Sequence, residues 1–369
     1  MPEVKETVLE IDLEALRHNY DFLRSRLRPD TKFMAVVKAF GYGSDAAVIA
    51  KKLEELGVDY FAVAYVHEGV ALRESGISIP ILVLHPQIGN LDLLIAHNLE
   101  PSLYSLKVLK AFLAAAGRQG LLDYPVHLKF NTGLNRLGFW ENDVDFIKRE
   151  LAGHREVNVK GIFSHLAASD DLEEKDFTQT QIGTFEKITS EITTVLGYSP
   201  IKHLLNTSGI LNFPEAQYDM VRSGIGLYGY SNDPEIDRQL KGVGTLKTVI
   251  SQLHKIEPGE SVGYNRAYIS EGYRTTATLP LGHADGIGRQ YGRGKANVLL
   301  HGQKAPIVGN VCMDMIMIDV TGIDCQEGDE VIVFGPENSA EDFASGANTI
   351  SYELITGISS RVKRQFLGD

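Results

Sequence analysis

Short, nearly unbroken apolar runs recur through the first two thirds of the chain: FMAVVK (33–38), YFAVAY (60–65), PILVLH (80–85), EPSLYS (100–105), VHLKF (126–130), VKGIFSH (159–165), HLLNTS (203–208) and MVRSGIG (220–226). Continuous hydrophobicity without alternation is what strands buried on both faces require. Between these runs the apolar spacing becomes helical. Leu16, Tyr20, Leu23 and Leu27 fall at steps of four, three and four residues, with Asp12 placed to cap the first turn. SDAAVIAKKLEELG opens on capping residues and stops at Gly57. Across 176–196, Phe177, Gln181, Phe185, Ile188, Ile192 and Val195 form one stripe.

Eight strand candidates alternating with helices predict parallel βαβ units, and eight such units predict a closed α/β barrel. EPSLYS is the weakest of the eight; with seven strands, a doubly wound open sheet is the rival architecture. After about residue 235 the rhythm changes. TLKTVISQLHKI, TTATLPLG, ANVLLHGQKAPIVG, MIMIDVTG and DEVIVFGP read as strands joined by Gly, Asp and Pro turns, and only the end, around SYELITGISSRVKR, reads as helical. The expected fold is an N-terminal (β/α)8 TIM-like barrel over residues 9–235 and a mostly β domain over 236–369, with NDPE (232–235) as the junction. The early run TVLEIDL (7–13) suits a strand pairing with either domain, so the N-terminal strand at 1–8 is a candidate member of the second.

Composition narrows the class. The 369 residues are 43% hydrophobic and 23% charged, an ordinary globular balance. The net charge of -12 repels phosphate backbones and argues against a nucleic-acid partner. The start, MPEVKETVLEIDLEAL, is acidic where a signal peptide would be apolar, and runs such as IPILVL (79–84) are far too short to span a membrane. Two cysteines, Cys312 and Cys325, suit a reducing compartment, so a cytoplasmic location without a membrane partner is expected.

In a parallel barrel the active site lies at the carboxyl ends of the strands. Those ends supply Lys38 and Tyr42, Lys129 with Arg136 nearby, His165, Asn206 with Thr207 and Ser208, and Arg222 with Gly224. The set converges on an anionic, phosphorylated ligand. Each residue also has a bland role. Lys38 either snorkels into solvent or is a desolvated Schiff-base lysine; the following GYG, which lets backbone approach a ligand, favours the second. Arg222 is either a structural ion pair or a ligand for a ring nitrogen or phosphate, His165 a core histidine or a site residue, and Lys129 the partner of a nearby acid or part of the site. GHADGIGRQYGRG (282–294) has the wrong glycine spacing for a dinucleotide fingerprint and reads as a long loop at a site or interface. Asp314 in CMDM has no Cys or His at ligand spacing, and no metal cofactor is expected.

As a set, VVKAFGYGSDA, HLKFNTGLNRLGF, IFSHLAASD, FTQTQIGTF, LLNTSGI, DMVRSGIGLYGY, ESVGYNRAY, LPLGHADGIGR, GNVCMDMIMIDV and ISYELITGISSRVKR resemble, in this order, the motifs of bacterial alanine racemases, from about residue 7 to the end. The resemblance implies a pyridoxal-phosphate enzyme of the barrel class that interconverts L- and D-alanine and supplies D-alanine for cell-wall peptidoglycan. It implies that Lys38 carries the cofactor and is one catalytic base, and that Tyr264, contributed by the partner of a homodimer, is the second. Two bases on opposite faces are what racemisation needs. The resemblance further implies that Arg222 faces the pyridine nitrogen and that His165, linked to it, hydrogen-bonds the catalytic tyrosine. Such help matters because phenols ordinarily ionise near ~10. Asn206 is placed with the cofactor-binding residues, and Tyr42, Thr207, Tyr352 and the amides of Gly224 and Ile225 hold the phosphate. Arg136 and the amide of Met313, again from the partner, meet the substrate carboxylate. Lys129 matches a lysine often carbamylated in the family. Three positions depart from it: Thr207 replaces the usual serine, His283 stands where tyrosine is usual, and Asn131 where aspartate is common. A racemase of broader specificity, a related decarboxylase and a non-catalytic cofactor carrier are the competing functions. The decarboxylase gives no reason for ESVGYNRAY, and the carrier none for residues 236–369.

Overall fold

In the computed structural model, which describes residues 6–231 and 233–368, eight parallel strands close into a barrel, seven of them at the expected runs. Strand β1 (Val8–Asp12) comes first and stands apart. The barrel follows as β2 (Lys32–Val36), β3 (Tyr60–Val63), β4 (Ile81–Val83), β5 (Glu100–Leu103), β6 (Tyr124–Lys129), β7 (Val157–Phe163), β8 (Ile201–His203) and β9 (Met220–Ser223). Neighbours are parallel throughout, and β9 returns to β2 in register from Lys32↔Met220 to Ala35↔Ser223. That closure excludes the open sheet. The weak run EPSLYS is a full barrel strand whose four residues are all buried.

Local signals hold at the helix starts. Asp12 accepts from the amides of Glu14 and Ala15, both at 2.9 Å, and opens the helix Leu13–Ser25. Asp45 caps Ala46–Glu55 in the same way, and Gly57 follows with φ 89°. The helix Lys175–Leu196 buries Gln181, Phe185, Ile188 and Ile192 of the expected stripe, while Phe177 stays exposed at its start.

Two readings need correction. HLLNTS is not a strand: β8 stops at His203, and Thr207–Asn212 is a helix because the Asn206 side chain accepts the Gly209 amide (2.9 Å) as its cap. The C-terminal segment also holds a strand, Lys363–Leu367, that its charged sequence hid. A sheet-edge strand with one solvated face carries too few apolar residues to show.

Nine strands form the second sheet, in the order Gln252–Ile256, Arg274–Leu279, Ile316–Asp319, Gln303–Val308, Asn297–Leu300, Glu330–Phe334, Gly244–Val249, β1 and Lys363–Leu367. β1 is antiparallel to Gly244–Val249 and parallel to Lys363–Leu367, so the first and last strands of the described residues lie side by side in this sheet. Residues 1–5 of the expected N-terminal strand, and Asn232 of the NDPE junction, lie outside the described residues. Among the described residues no helix is long and apolar enough to cross a membrane.

Candidate active site

Immediately after β2 the chain enters a left-handed turn. Ala39, Phe40, Gly41 and Tyr42 have φ of 53°, 55°, 61° and 52°, three of them with side chains that disfavour this region. Backbone strain of this kind is held at functional sites by its surroundings. Here the restraint is the Glu68 carboxylate. One oxygen accepts the Ala39 amide (2.7 Å), and the other accepts the amides of Ala64 (2.7 Å) and Tyr65 (3.0 Å) beyond β3. Lys38 is therefore presented from a fixed backbone.

The same turn swings Tyr42 inward, where its ring stacks on Tyr228 at 4.6 Å and approaches Tyr352 at 6.2 Å. A Cβ on Gly224, just past β9, would lie 2.1 Å from the Tyr42 hydroxyl, so only glycine lets the two meet. Thr207 Oγ1 shares a hydrogen bond with Ser223 Oγ (2.9 Å) and accepts the Gly226 amide (3.3 Å). Gly224 and Ile225 stand at the start of the 3-10 turn Ile225–Tyr228, where amides have no partner within the turn. Burial, reinforced by Tyr352, pushes the Tyr42 phenol well up, which keeps it a neutral donor. Tyr42 hydroxyl, Thr207 hydroxyl and these amides form a cradle of donors.

Across the cavity the site is cationic. Arg222 is 4% exposed. Its Nη1 donates to His203 Nδ1 (3.0 Å) and the His203 carbonyl (2.9 Å). Its Nη2 reaches the carbonyls of Ser164 (2.7 Å) and Leu204 (2.9 Å), and His165 Nδ1 at 3.3 Å. Among the described residues, Nε–H is the one guanidinium donor left without a protein acceptor. Burial pulls Arg222 down to about 9, still a cation at neutral pH. His165 is pushed well below its ordinary value by burial and then by Arg222, Arg136, Lys129 and Lys38, and stays neutral. Burial and Arg136 lower Lys38, against an opposing pull from Glu68. Lys129 falls to about 8 through burial, Arg136, Arg222 and Lys38. Among the described residues no acid lines the cavity that holds these cations, which suits an anionic ligand.

Lys38, Tyr42, Lys129, Arg136, His165, Asn206, Thr207, Arg222, Gly224, Ile225 and Tyr352 all line one cavity of about 550 Å³. Asn206 lines it while serving as helix cap and accepting from Ser169 (2.7 Å). Tyr65 and His85 also line it; both stand just past strand ends, where the barrel rule would have found them. Tyr264 and Met313 do not reach it and are 71% and 59% exposed on the C-terminal domain. The loops that carry them are adjacent: Asn310 Nδ2, three residues before Met313, donates to the Tyr264 carbonyl (3.0 Å).

An alanine racemase N-terminal domain model matches residues 11–232, and an alanine racemase C-terminal domain model matches 243–366. The chain belongs to the alanine racemase family. It is 36% identical over 366 residues to the alanine racemase of Thermodesulfovibrio yellowstonii, covering 97% of each chain. The crystal structure of alanine racemase from D-cycloserine-producing Streptomyces lavendulae superposes with a TM-score of 0.94 at 31% identity, over 100% of this chain and 98% of that one. The Bartonella henselae alanine racemase with covalently bound pyridoxal phosphate gives 0.90 at 28%, covering 98% and 99%.

Two of the positions expected to depart from the resemblance, Asn131 and His283, sit in defined local hydrogen-bond networks. Asn131 Oδ1 accepts the amides of Gly133 (3.2 Å) and Asn135 (2.9 Å), and its Nδ2 donates to Asn135 Oδ1 (2.9 Å). The amide thus folds the loop that carries Arg136, using a donor that a carboxylate lacks. His283 is exposed, its amide donates to the Cys312 carbonyl (3.0 Å), and the next amide donates to that of Met313 (3.0 Å), so it lies beside the Met313 loop.

Proposed function

We propose that this protein is a pyridoxal-phosphate-dependent alanine racemase, active as a homodimer in the cytoplasm and supplying D-alanine for peptidoglycan. The observation that carries the reading is the single cavity in which Lys38, the Arg222–His165 pair and the Tyr42–Gly224 cradle meet. The donor set fits the cofactor. Tyr42, Thr207, Tyr352 and the amides of Gly224 and Ile225 would hold its phosphate, Arg222 Nε would face its pyridine nitrogen, and Lys38 would carry it. When bound, the group supplies an electron sink that acidifies the α-proton of the attached amino acid.

Lys38, its amine lowered by burial, takes or returns the α-proton on one face. The partner's Tyr264 does the same on the other, which accounts for its exposure in one copy. Arg222, which stays protonated, would donate a hydrogen bond to the ring nitrogen without giving up its proton. Arg136 and the amide of the partner's Met313 receive the substrate carboxylate. Lys129 holds a fraction of neutral amine near pH 8; attack on carbon dioxide gives a carbamate and releases one proton, and the new anion pairs with Arg136. The test is proton NMR of L-alanine in heavy water with chiral analysis. Loss of the α-proton signal with accumulation of D-alanine is the expected result; no exchange in the loaded protein would overturn the reading.

A further inference from the structure

Behind Arg222 a line of polar side chains runs through the barrel interior to the first residue of β5. His203 Nε2 is 3.0 Å from His127 Nδ1, and His127 Nε2 is 2.8 Å from Glu100 Oε2. Glu100 is 5% exposed, and His127 and His203 are 0% exposed. The fold makes room for it: a Cβ on Gly161 of β7 would lie 2.2 Å from His127 Nδ1, and β6 shifts register against β7 between Val126 and His127. Phe163 stacks on His203 at 4.8 Å and packs under Arg222 at 5.3 Å.

Donor inventory fixes the direction of every bond. A guanidinium only donates, so His203 Nδ1 accepts from Arg222 and the His203 proton sits on Nε2. Burial and Arg222 hold His203 neutral, so it has one proton to give. His203 Nε2–H then donates to His127 Nδ1, which must accept, and the His127 proton sits on Nε2 and donates to Glu100. At Arg222's other amino group, His165 Nδ1 accepts, which leaves the His165 proton on Nε2, facing away from Arg222. A donor-only group at one end and an acceptor at the other lock His203 and His127 into one tautomer, and the same donor-only group fixes that of His165.

We infer that Glu100 and His127 are positioning residues for Arg222: with His203 they form a one-way hydrogen-bond relay that fixes the guanidinium plane and gives its buried charge a counter-charge across the barrel. Buried charges need such an answer, and no carboxylate acts on Arg222 directly among the described residues. The relay's catalytic consequence rests on the proposed function, since it aims Arg222 Nε into the cavity and holds His165 as an Nε2 donor. Its existence does not.

Histidine-selective nitrogen-15 labelling and long-range proton–nitrogen correlation, on cofactor-free and loaded protein at neutral pH, read the tautomers directly. His127, His203 and His165 are expected to carry their protons on Nε2 in both forms. A proton on Nδ1, or on both nitrogens, of His127 or His203 overturns the relay. Glu100→Leu should alter the His127 and His203 signals and lower kcat about tenfold while KM for alanine stays within about twofold, a loss typical of outer-sphere supports. Glu100→Gln keeps an acceptor oxygen and should retain the tautomers, with kcat between the two. Gly161→Ala pushes His127 aside with Glu100 intact and should lower kcat as Glu100→Leu does, which keeps the inference testable if the leucine variant does not fold. A Glu100→Leu protein that melts earlier but keeps native tautomers and kcat makes Glu100 merely structural and overturns the proposal. Native tautomers in a protein that racemises nothing would support the relay and overturn the functional reading.

Discussion

Lys129 is 6% exposed and sits among three cations, so its charge is costly in the fold. Its folded value near 8 lies below the ordinary 10.5. Between those values the unfolded chain binds more protons than the folded one, and stability rises with pH. Unmodified protein is expected to gain about 1 kcal/mol from pH 7 to pH 9 relative to Lys129→Met, measured by urea unfolding at constant ionic strength. Modification by carbon dioxide would flatten that slope, so degassed and bicarbonate-containing samples should differ. Tyr264→Phe is expected to lower racemisation by about a thousandfold while the cofactor's absorbance is retained. Lys38, Lys129, Arg136, His165 and Arg222 were legible because a barrel gathers the ends of its strands. Glu68 and Glu100 were not. Their importance lies in the Ala39 amide and the His127 imidazole they meet from other elements, and no spacing along the chain records those meetings.

The left-handed turn after β2 joins the two halves of the site. Gly43, with φ 83°, ends it so closely against the helix Ser351–Gly357 that a Cβ would lie 2.1 Å from the Ile355 carbonyl. Arg364 clamps the same place, donating from Nη2 to the Gly43 carbonyl (2.7 Å) and the Ile358 carbonyl (2.8 Å). Gly43→Ala is expected to cost about 2–3 kcal/mol, since both the backbone conformation and the packing are lost. It should also raise the dissociation constant for pyridoxal phosphate, because the displaced helix carries Tyr352; equilibrium unfolding and cofactor titration check the two effects. The GYG motif announced close backbone approach, but not to which element. At the level of elements, apolar runs and caps placed the barrel strands and most helix starts. HLLNTS misled because a helix beginning right after a strand keeps its apolar residues contiguous with the strand's. Lys363–Leu367 was hidden because half-solvated edge strands lack an apolar signature.

Taken as a whole, one copy of this chain holds a cavity without Tyr264 and Met313, and exposes both elsewhere. Sites shared between the protomers of the proposed homodimer predict complementation. Mixing inactive Lys38→Ala with inactive Tyr264→Phe under conditions of subunit exchange should restore about a quarter of native activity: half the dimers are hybrids, each with one complete site. No recovery, with hybrids demonstrated by native mass spectrometry, would place both residues in one protomer's site. The sequence by itself determined the two-part architecture and which chemically able residues stand at strand ends, because hydrophobic period and strand-end position are local properties that survive in one dimension; the family was legible only through the resemblance of its motifs. Only the tertiary structure decided that β1 joins the C-terminal sheet, that Glu68 restrains the Lys38 turn, and that Arg222 is backed by imidazoles instead of a carboxylate. Those outcomes depend on which groups meet after folding, and hydrogen-bond direction and burial exist only once they have met.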